Sequence, residues 1–289
     1  MEIKATTRIY GIFGHPVSQS LSPAMHNAAF EHLGLDCVYL AFDVDPRNID
    51  KAVNSIRDLG FCGVNVTIPH KQSVMAGLDE IAPEASMVGA VNTIVNEDGR
   101  LKGYNTDVSG VLRALHFELE FVPQDKNILI VGAGGASRAV IVAMCTGGAR
   151  SIAIANRTYF KAQELSEEFS PRFGDIGFSA APLEDAARVA QMMEQTDIVI
   201  NCSSAGMGEI EPLRLPLDLL DENCVVYDLV YKPAVTPLVR DSKALGLKAE
   251  SGLGMLLYQG VDAFEIWTGE NAPVEVMRET LSFPGDIIS

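Results

Sequence analysis

No run of apolar residues in this chain approaches the roughly 18 needed to span a bilayer. The most apolar stretch, residues 128–142, is interrupted by glycines and by Arg138. Residues 1–13 hold no apolar signal core, so neither a membrane span nor a secretory leader is expected. Basic residues are scarce. There are 22 Lys and Arg against 38 Asp and Glu, a formal net charge of -16. So acidic a chain is a poor partner for nucleic acid or an anionic membrane surface. Any anionic ligand must be held by local donors against an unfavourable overall field. Cysteine is sparse as well. Cys37, Cys62, Cys145, Cys202 and Cys224 are scattered, and no pair has metal-site spacing. Each sits in or beside an apolar run, which reads as reduced core thiols in a cytoplasmic, metal-free protein. The five histidines fall into no Ser–Asp or metal pattern, and none is assigned to chemistry.

What is present is a globular composition. Of 289 residues, 47% are hydrophobic and 21% charged. That is enough for a buried core and about two domains at about 150 residues each. Strand-like and helix-like segments alternate almost throughout, the pattern of an α/β protein with largely parallel sheets. Strands are expected over residues 8–13, 37–44 and 61–66, with a helix over 23–33. Asp45-Pro46 is a helix start, and Ile49, Ala52, Val53, Ile56 and Leu59 then share one helical face. Strands over 90–96 and 101–104 flank Asp98-Gly99, a hairpin signal. Asp107 opens another helix. Past Pro123 a second unit begins: a strand over 128–131, a glycine turn, and a helix over 136–146. Further strands are expected over 152–155, 198–201 and 225–229, with helices near 183–194 and 237–245.

The glycine turn reads Gly132-Ala133-Gly134-Gly135-Ala136-Ser137 between a strand and a helix. That is the context of a dinucleotide fingerprint, with pyrophosphate at the helix N-terminus. Ser137 occupies the third position, where glycine or alanine is usual. A tight turn without a ligand is the alternative. The end of the next strand reads Asn156-Arg157-Thr158, with Lys161 one turn later. No acid stands there to accept a ribose hydroxyl. Arg157 offers a forked donor set for a phosphate, and Lys161 adds a point charge. Two cations near a helix N-terminus oppose the dipole, which favours a bound anion over a merely solvated helix start. NADP is therefore expected over NAD.

In the first half, Ser18, Ser20 and Ser22 line a loop running into a helix, with Pro23 at its first position. Ser22 reads as its N-cap, and hydroxyls at a helix N-terminus also make an anion site. Residues 65–71, Asn-Val-Thr-Ile-Pro-His-Lys, lie at the carboxyl end of a strand. Ligands gather at such ends. Lys71 is expected in the first turn of the next helix, where a cation needs a reason and sheds its proton more readily. A plain surface lysine is the alternative. Asn92-Thr93 and Asn105-Thr106-Asp107 supply donors and acceptors for hydroxyl groups, and Asp107 also reads as an N-cap.

Taken in order, these blocks resemble the shikimate dehydrogenase family. They are Ser20-Leu21-Ser22-Pro23, residues 65–71, Gly89-Ala90-Val91-Asn92-Thr93, Asn105-Thr106-Asp107, Gly132 to Arg138, Asn156-Arg157-Thr158 and Gly252-Leu253-Gly254-Met255. The resemblance extends to the region around Gln259. It implies a discontinuous substrate domain, residues 1–107 and 253–289. A Rossmann-like NADP domain, residues 108–252, is inserted into it, and the active site lies in the cleft. Ser20 and Ser22 would hold a substrate carboxylate. Thr67, Asn92 and Gln259 would bind ring hydroxyls or position the ring, and Tyr231 would lie near the substrate. Lys71 and Asp107 would be the catalytic pair. Gly132, Ala133, Gly134, Gly135, Ala136, Ser137, Arg138, Asn156, Arg157, Thr158 and Lys161 would bind NADP. The implied reaction is reversible reduction of 3-dehydroshikimate to shikimate, in chorismate and aromatic amino acid biosynthesis. It would be carried out by a monomer or homodimer. Two alternatives stand beside it: a quinate or dual-substrate relative with NAD use, and a ligand-sensing relative without chemistry. Residues 283–289 match nothing in the family.

Overall fold

A computed structural model describes residues 2–281, so the expectation for residues 283–289 lies outside the described residues. The elements run β1 (Arg8–Gly14), α1 (Ser22–His32), β2 (Cys37–Asp43), α2 (Ile49–Asp58), β3 (Gly63–Val66), β4 (Glu80–Ile81), α3 (Pro83–Val88), β5 (Thr93–Glu97), β6 (Arg100–Tyr104) and α4 (Asp107–Leu119). They continue with β7 (Asn127–Val131), α5 (Gly135–Thr146), β8 (Ser151–Asn156), α6 (Tyr159–Phe169), β9 (Gly177–Pro182), α7 (Ala186–Met193), β10 (Ile198–Asn201) and β11 (Val225–Asp228). The last are α8 (Pro237–Ala244), β12 (Lys248–Ser251), α9 (Leu253–Thr268) and α10 (Val274–Glu279). The chain divides into two compact units, residues 2–110 with 257–281, and Val111–Leu256.

The first unit is built on a mixed sheet of order β2-β1-β3-β5-β6-β4. β1 pairs in parallel with β2 and β3, while β3–β5 and β5–β6 are antiparallel. The Asp98-Gly99 turn joins β5 to β6, and both residues take the positive φ that a tight hairpin demands, 52° and 88°. Its core gathers Phe13, Val53, Ile56, Val64, Ile94 and Leu101, the inward face of the sheet and of α2. Asp45 caps a short 3-10 turn over Pro46–Asn48, its side chain accepting from the Arg47 N–H, before α2 proper begins.

The second unit is an all-parallel sheet of order β12-β11-β10-β7-β8-β9. The order reverses between β7 and β10, the switch point at which doubly wound sheets take their ligands. Leu129, Val131, Val199 and Val226 line one face beneath α7 and α8. Two strands differ from the sequence expectation, β9 and β12, which read Gly-Phe-Ser-Ala-Ala-Pro and Lys-Ala-Glu-Ser. Both are edge strands, and edge strands lack the continuous apolar run that marks a buried one. No helix among the described residues is long and apolar enough to cross a membrane.

Candidate active site and cofactor loop

In the first unit, sheet register assembles a polar cluster. Asn65 on β3 lies opposite Thr93 on β5, and Thr93 lies opposite Tyr104 on β6. The residues just before β5 and just after β6, Asn92 and residues 105–107, therefore meet. The Val66 N–H donates to the Asn92 carbonyl at 2.8 Å, and the Val91 N–H donates to the Lys71 carbonyl at 2.7 Å. These bonds fix the turn that carries Lys71.

Lys71 Nζ donates to Asp107 Oδ2 at 2.6 Å, with side-chain exposures of only 17% and 6%. Asn92 Nδ2 donates to the other oxygen, Oδ1, at 2.9 Å. Asn92 Nδ2 also donates to Thr106 Oγ1 at 3.0 Å, and its Oδ1 accepts from Thr93 Oγ1 at 3.0 Å and the Thr106 N–H at 2.8 Å. The amide's two donors and both acceptor positions are thus filled within the chain. A ligand hydroxyl reaches it only if one of these bonds is released.

Three local expectations are corrected here. Lys71 does not lie in a helical first turn. It sits in a turn ahead of a short 3-10 segment, Ser73–Gly77. Its burial beside Asp107 is the reason it is there. Asp107 is the first residue of α4 and not its N-cap, and both its oxygens are spent on Lys71 and Asn92. Ser22 likewise is the first residue of α1. The cap position is Leu21, with no side-chain cap bond.

The serines divide by burial: Ser18 is exposed, Ser20 half-buried and Ser22 buried. Ser20 Oγ accepts from the Ser22 N–H at 3.3 Å, which leaves its own proton uncommitted. Ser22 lies beside the Tyr39 hydroxyl, and burial holds that phenol far above its ordinary pKa. The Thr67 methyl packs against Gly14, and its half-buried hydroxyl has no partner among the described residues. Gln259 is half-buried on α9 and packs against Gly110 of α4, where any side chain would collide with its Cβ and backbone at 2.9 Å.

His26 on α1 is fully buried in an aromatic box. It stacks on Tyr39 at 4.5 Å and lies 5.4 Å from Trp267. Neither ring nitrogen has a hydrogen-bond partner among the described residues, and burial lowers its pKa to about 3.

The second unit holds the glycine loop at the switch point. Gly132 has φ +112°, and a Cβ there would meet the Ser203 nitrogen at 2.9 Å and Cys202 backbone at 3.0 Å. Only glycine fits between the ends of β7 and β10. Gly134 and Gly135 are exposed, and a Cβ at either would meet nothing within 4 Å; half-buried Ala133 and Ala136 flank them. Ser137, unusual at its position, has a structural purpose. Its fully buried hydroxyl donates to the Gly132 carbonyl at 3.0 Å and accepts from the Gly134 N–H at 3.1 Å, bracing the loop. Arg138 does not point to the loop as expected. It is buried, forks onto Glu168 and lies 5.1 Å over the Phe169 ring, so the guanidinium ties α5 to α6.

At the end of β8, Asn156 Nδ2 donates to the Thr158 carbonyl at 2.8 Å, shaping the turn. Thr158 caps α6 without a side-chain bond. Arg157 and Lys161 are exposed, and neither forms an ion pair among the described residues. Two unpartnered cations at a helix N-terminus, in a chain of net charge -16, fit a phosphate. Tyr231 follows β11, and burial raises its phenol pKa.

Sequence reading missed Asp228, whose buried carboxylate accepts from Asn201 Nδ2, the Val230 N–H and Thr236 Oγ1. It missed Tyr39 too. A single tyrosine inside a strand carries no signal of its partner. The five cysteines are free, and burial pushes the Cys145 and Cys224 thiols up to about 12. Among the described residues no group of three His, Cys, Asp or Glu side chains is placed to hold a metal.

Known proteins share both halves of this architecture. Residues 12–94 match the profile of the shikimate dehydrogenase substrate binding domain. Residues 118–212 match that of shikimate / quinate 5-dehydrogenase, and residues 252–281 that of the shikimate 5'-dehydrogenase C-terminal domain. The shikimate dehydrogenase (NADP(+)) of Methanopyrus kandleri is 46% identical over 97% of both chains. A crystal structure of a shikimate dehydrogenase in complex with NADP+ superposes with a TM-score of 0.89 at 43% identity, over 97% of this chain and 96% of the other. That of the Listeria monocytogenes enzyme, with shikimate and NAD, gives 0.91 at 37% identity over 98% and 99%.

Proposed function

This chain belongs to the shikimate dehydrogenase family, and from that premise we propose how its residues divide the reaction. The protein is an NADP-dependent oxidoreductase that interconverts 3-dehydroshikimate and shikimate, a step toward aromatic amino acids. The dinucleotide, when bound, supplies or takes up the hydride. What remains for the chain is to bind the acid, orient the ring and move one proton.

The observation that carries the assignment is the pair of half-buried Lys71 and buried Asp107, closed at 2.6 Å and held from behind by Asn92. In the reducing direction, negative charge develops on the ketone oxygen. Lys71 donates a proton to that oxygen, and Asp107 keeps the ammonium aimed until transfer. In the oxidising direction Lys71 takes the proton back. Ser20, with an uncommitted proton beside the first turn of α1, binds the carboxylate together with Ser22. Thr67, whose hydroxyl is unpartnered, and Gln259 meet ring hydroxyls. Asn92 does so only by exchanging its bond to Thr106. Tyr231 is assigned to the substrate on the family resemblance.

The glycine loop around Gly132 cradles the pyrophosphate, and Arg157 with Lys161 takes the 2′-phosphate. Asn156 and Thr158 shape that turn, and Arg138 serves from behind by anchoring α6. The substrate role falls to residues 1–107 with 253–289 and the NADP role to 108–252. The five free cysteines fit a reducing compartment, the cytoplasm.

The test is steady-state oxidation of shikimate and of quinate, each with NADP and with NAD. Shikimate with NADP should give the highest kcat/KM. A preference for quinate, or for NAD, would overturn the corresponding half of the proposal.

A further inference from the structure

The polar cluster behind Asp107 extends well past Asn92. Tyr39 Oη donates to Asn65 Oδ1 at 2.7 Å. Asn65 Nδ2 donates to Thr93 Oγ1 at 3.1 Å and to the Asn92 carbonyl at 3.2 Å. Thr93, which receives that bond, has Asn92 Oδ1 as its nearer acceptor at 3.0 Å, with Thr106 Oγ1 at 3.4 Å. Asn92 Oδ1 also accepts from the Thr106 N–H, so its Nδ2 is left facing Asp107 Oδ1 at 2.9 Å. Each amide is therefore oriented by one main-chain group and by side-chain hydroxyls, Tyr39 and Thr93 at Asn65 and Thr93 and Thr106 at Asn92. Tyr39, Asn65, Asn92 and Thr93 are all at most 4% exposed. In such burial an unmade bond is expensive.

We propose that the Tyr39 and Thr93 hydroxyls form a positioning relay, through Asn65, that holds the Asn92 donor on Asp107 and thereby presents the other carboxylate oxygen to Lys71. Both side chains are fully buried, at 0% exposure. Lys71 is a flexible amine with rotatable donors, so its placement is only as good as that of its partner. Remove the Thr93 hydroxyl and Asn92 Oδ1 loses its shorter side-chain donor, keeping the Thr106 N–H at 2.8 Å and the longer Thr106 Oγ1 contact at 3.3 Å. The amide then gains freedom to turn, Asp107 Oδ1 loses its fixed donor, and the carboxylate rotates with it. A proton donor displaced by about 1 Å can lose as much as about 100-fold in rate.

The relay rests on the Lys71–Asp107 reading above, and the experiment separates the two. Thr93→Val keeps the side-chain shape and removes the hydroxyl; Thr93→Ser keeps the hydroxyl. Thr93→Val should lower kcat roughly 10- to 100-fold. It should also shift the pH profile of kcat and leave KM for NADP within about twofold. Thr93→Ser should restore most of kcat. Tyr39→Phe should act in the same direction but more weakly. Combined with Thr93→Val it should add nothing, since both work through Asn92. Should Tyr39→Phe not fold, the Thr93 pair decides alone. A Thr93→Val enzyme with wild-type kcat and pH profile overturns the relay, as do losses that multiply in the double variant. Lys71→Ala is the control. If it is inactive while Thr93→Val is normal, the relay alone fails; if it is fully active, the catalytic reading beneath it fails.

Discussion

Acidification from pH 7 to pH 5 should cost the folded protein about 2 kcal/mol through His26 alone. Burial lowers this imidazole from its ordinary 6.5 to about 3, and its nitrogens find no partner among the described residues. Below pH 6.5 the unfolded chain binds a proton there that the folded chain does not. Stability is then lost at about 1.4 kcal/mol per pH unit. The contribution is intact above pH 6.5, falls as pH drops, and levels off near 3, where the folded ring would also titrate. At pH 5 the deficit spans about 1.5 units, hence about 2 kcal/mol. His26→Leu removes the titration. At pH 7 its net effect is a balance, because two unsatisfied nitrogens disappear along with the ring stacking. The informative quantity is therefore the change in the wild-type-minus-variant difference with pH. Urea unfolding followed by Trp267 fluorescence suits the purpose. Trp267 is the sole tryptophan and lies 5.4 Å from His26. A stability difference that stays flat from pH 7 to 5 would refute the reasoning, since it would mean that the folded ring takes its proton normally.

Four other outcomes are expected. Lys71→Ala should lower kcat about 10²–10⁴-fold with a much smaller change in KM for shikimate; unchanged turnover in a folded variant removes Lys71 from the mechanism. Ser20→Ala deletes a hydrogen bond to a charged group, worth roughly 1.5–3 kcal/mol, and should weaken shikimate but not NADP in a calorimetric titration. Equal weakening of both ligands would reassign the loop to folding. Arg157→Ala should weaken NADP by about 10- to 150-fold and leave NAD nearly unchanged, and added salt should erode NADP binding faster than NAD binding. Parallel losses for the two cofactors would sink the phosphate assignment. Gly132→Ala places a methyl 2.9 Å from the Ser203 nitrogen at φ +112°. It should destabilise the second unit by about 1–3 kcal/mol and impair NADP binding; a variant with unaltered melting and affinity would show that the loop tolerates a side chain.

Local signals are legible where one stretch of chain contains its own cause. The Asp98-Gly99 hairpin, the Gly132 turn and the cations Arg157 and Lys161 each declare themselves within a few residues. The rest depends on partners distant in sequence. That β3 runs antiparallel to β5 is written in neither strand, yet this register alone brings Asn65 to Thr93. A helix is expected around Lys71 because residues after a strand usually enter one. The chain turns first, and Asp107, 36 residues away, supplies the reason for the lysine. Arg138 resembles part of a phosphate loop because it follows the glycines; its guanidinium is captured by Glu168, 30 residues on. Ser137 reads as a weak substitute for glycine, and the loop-bracing bonds that explain it exist only in three dimensions.

The hairpin that joins Asn92 to Asp107 bears on the order in which the cluster can assemble. Asn92 and Asp107 are 15 residues apart, whereas Lys71 joins across 36. Closing the longer loop costs about 0.8 kcal/mol more, and short-range contacts form soonest. Asn92, Thr93, Thr106 and Asp107 can thus settle as a local module, with the ammonium docking onto a carboxylate already in place. Substitutions at position 71 would then discard proton transfer and leave the module intact. Descendants of this scaffold can lose the reaction without having to unmake the surface that reads the ring.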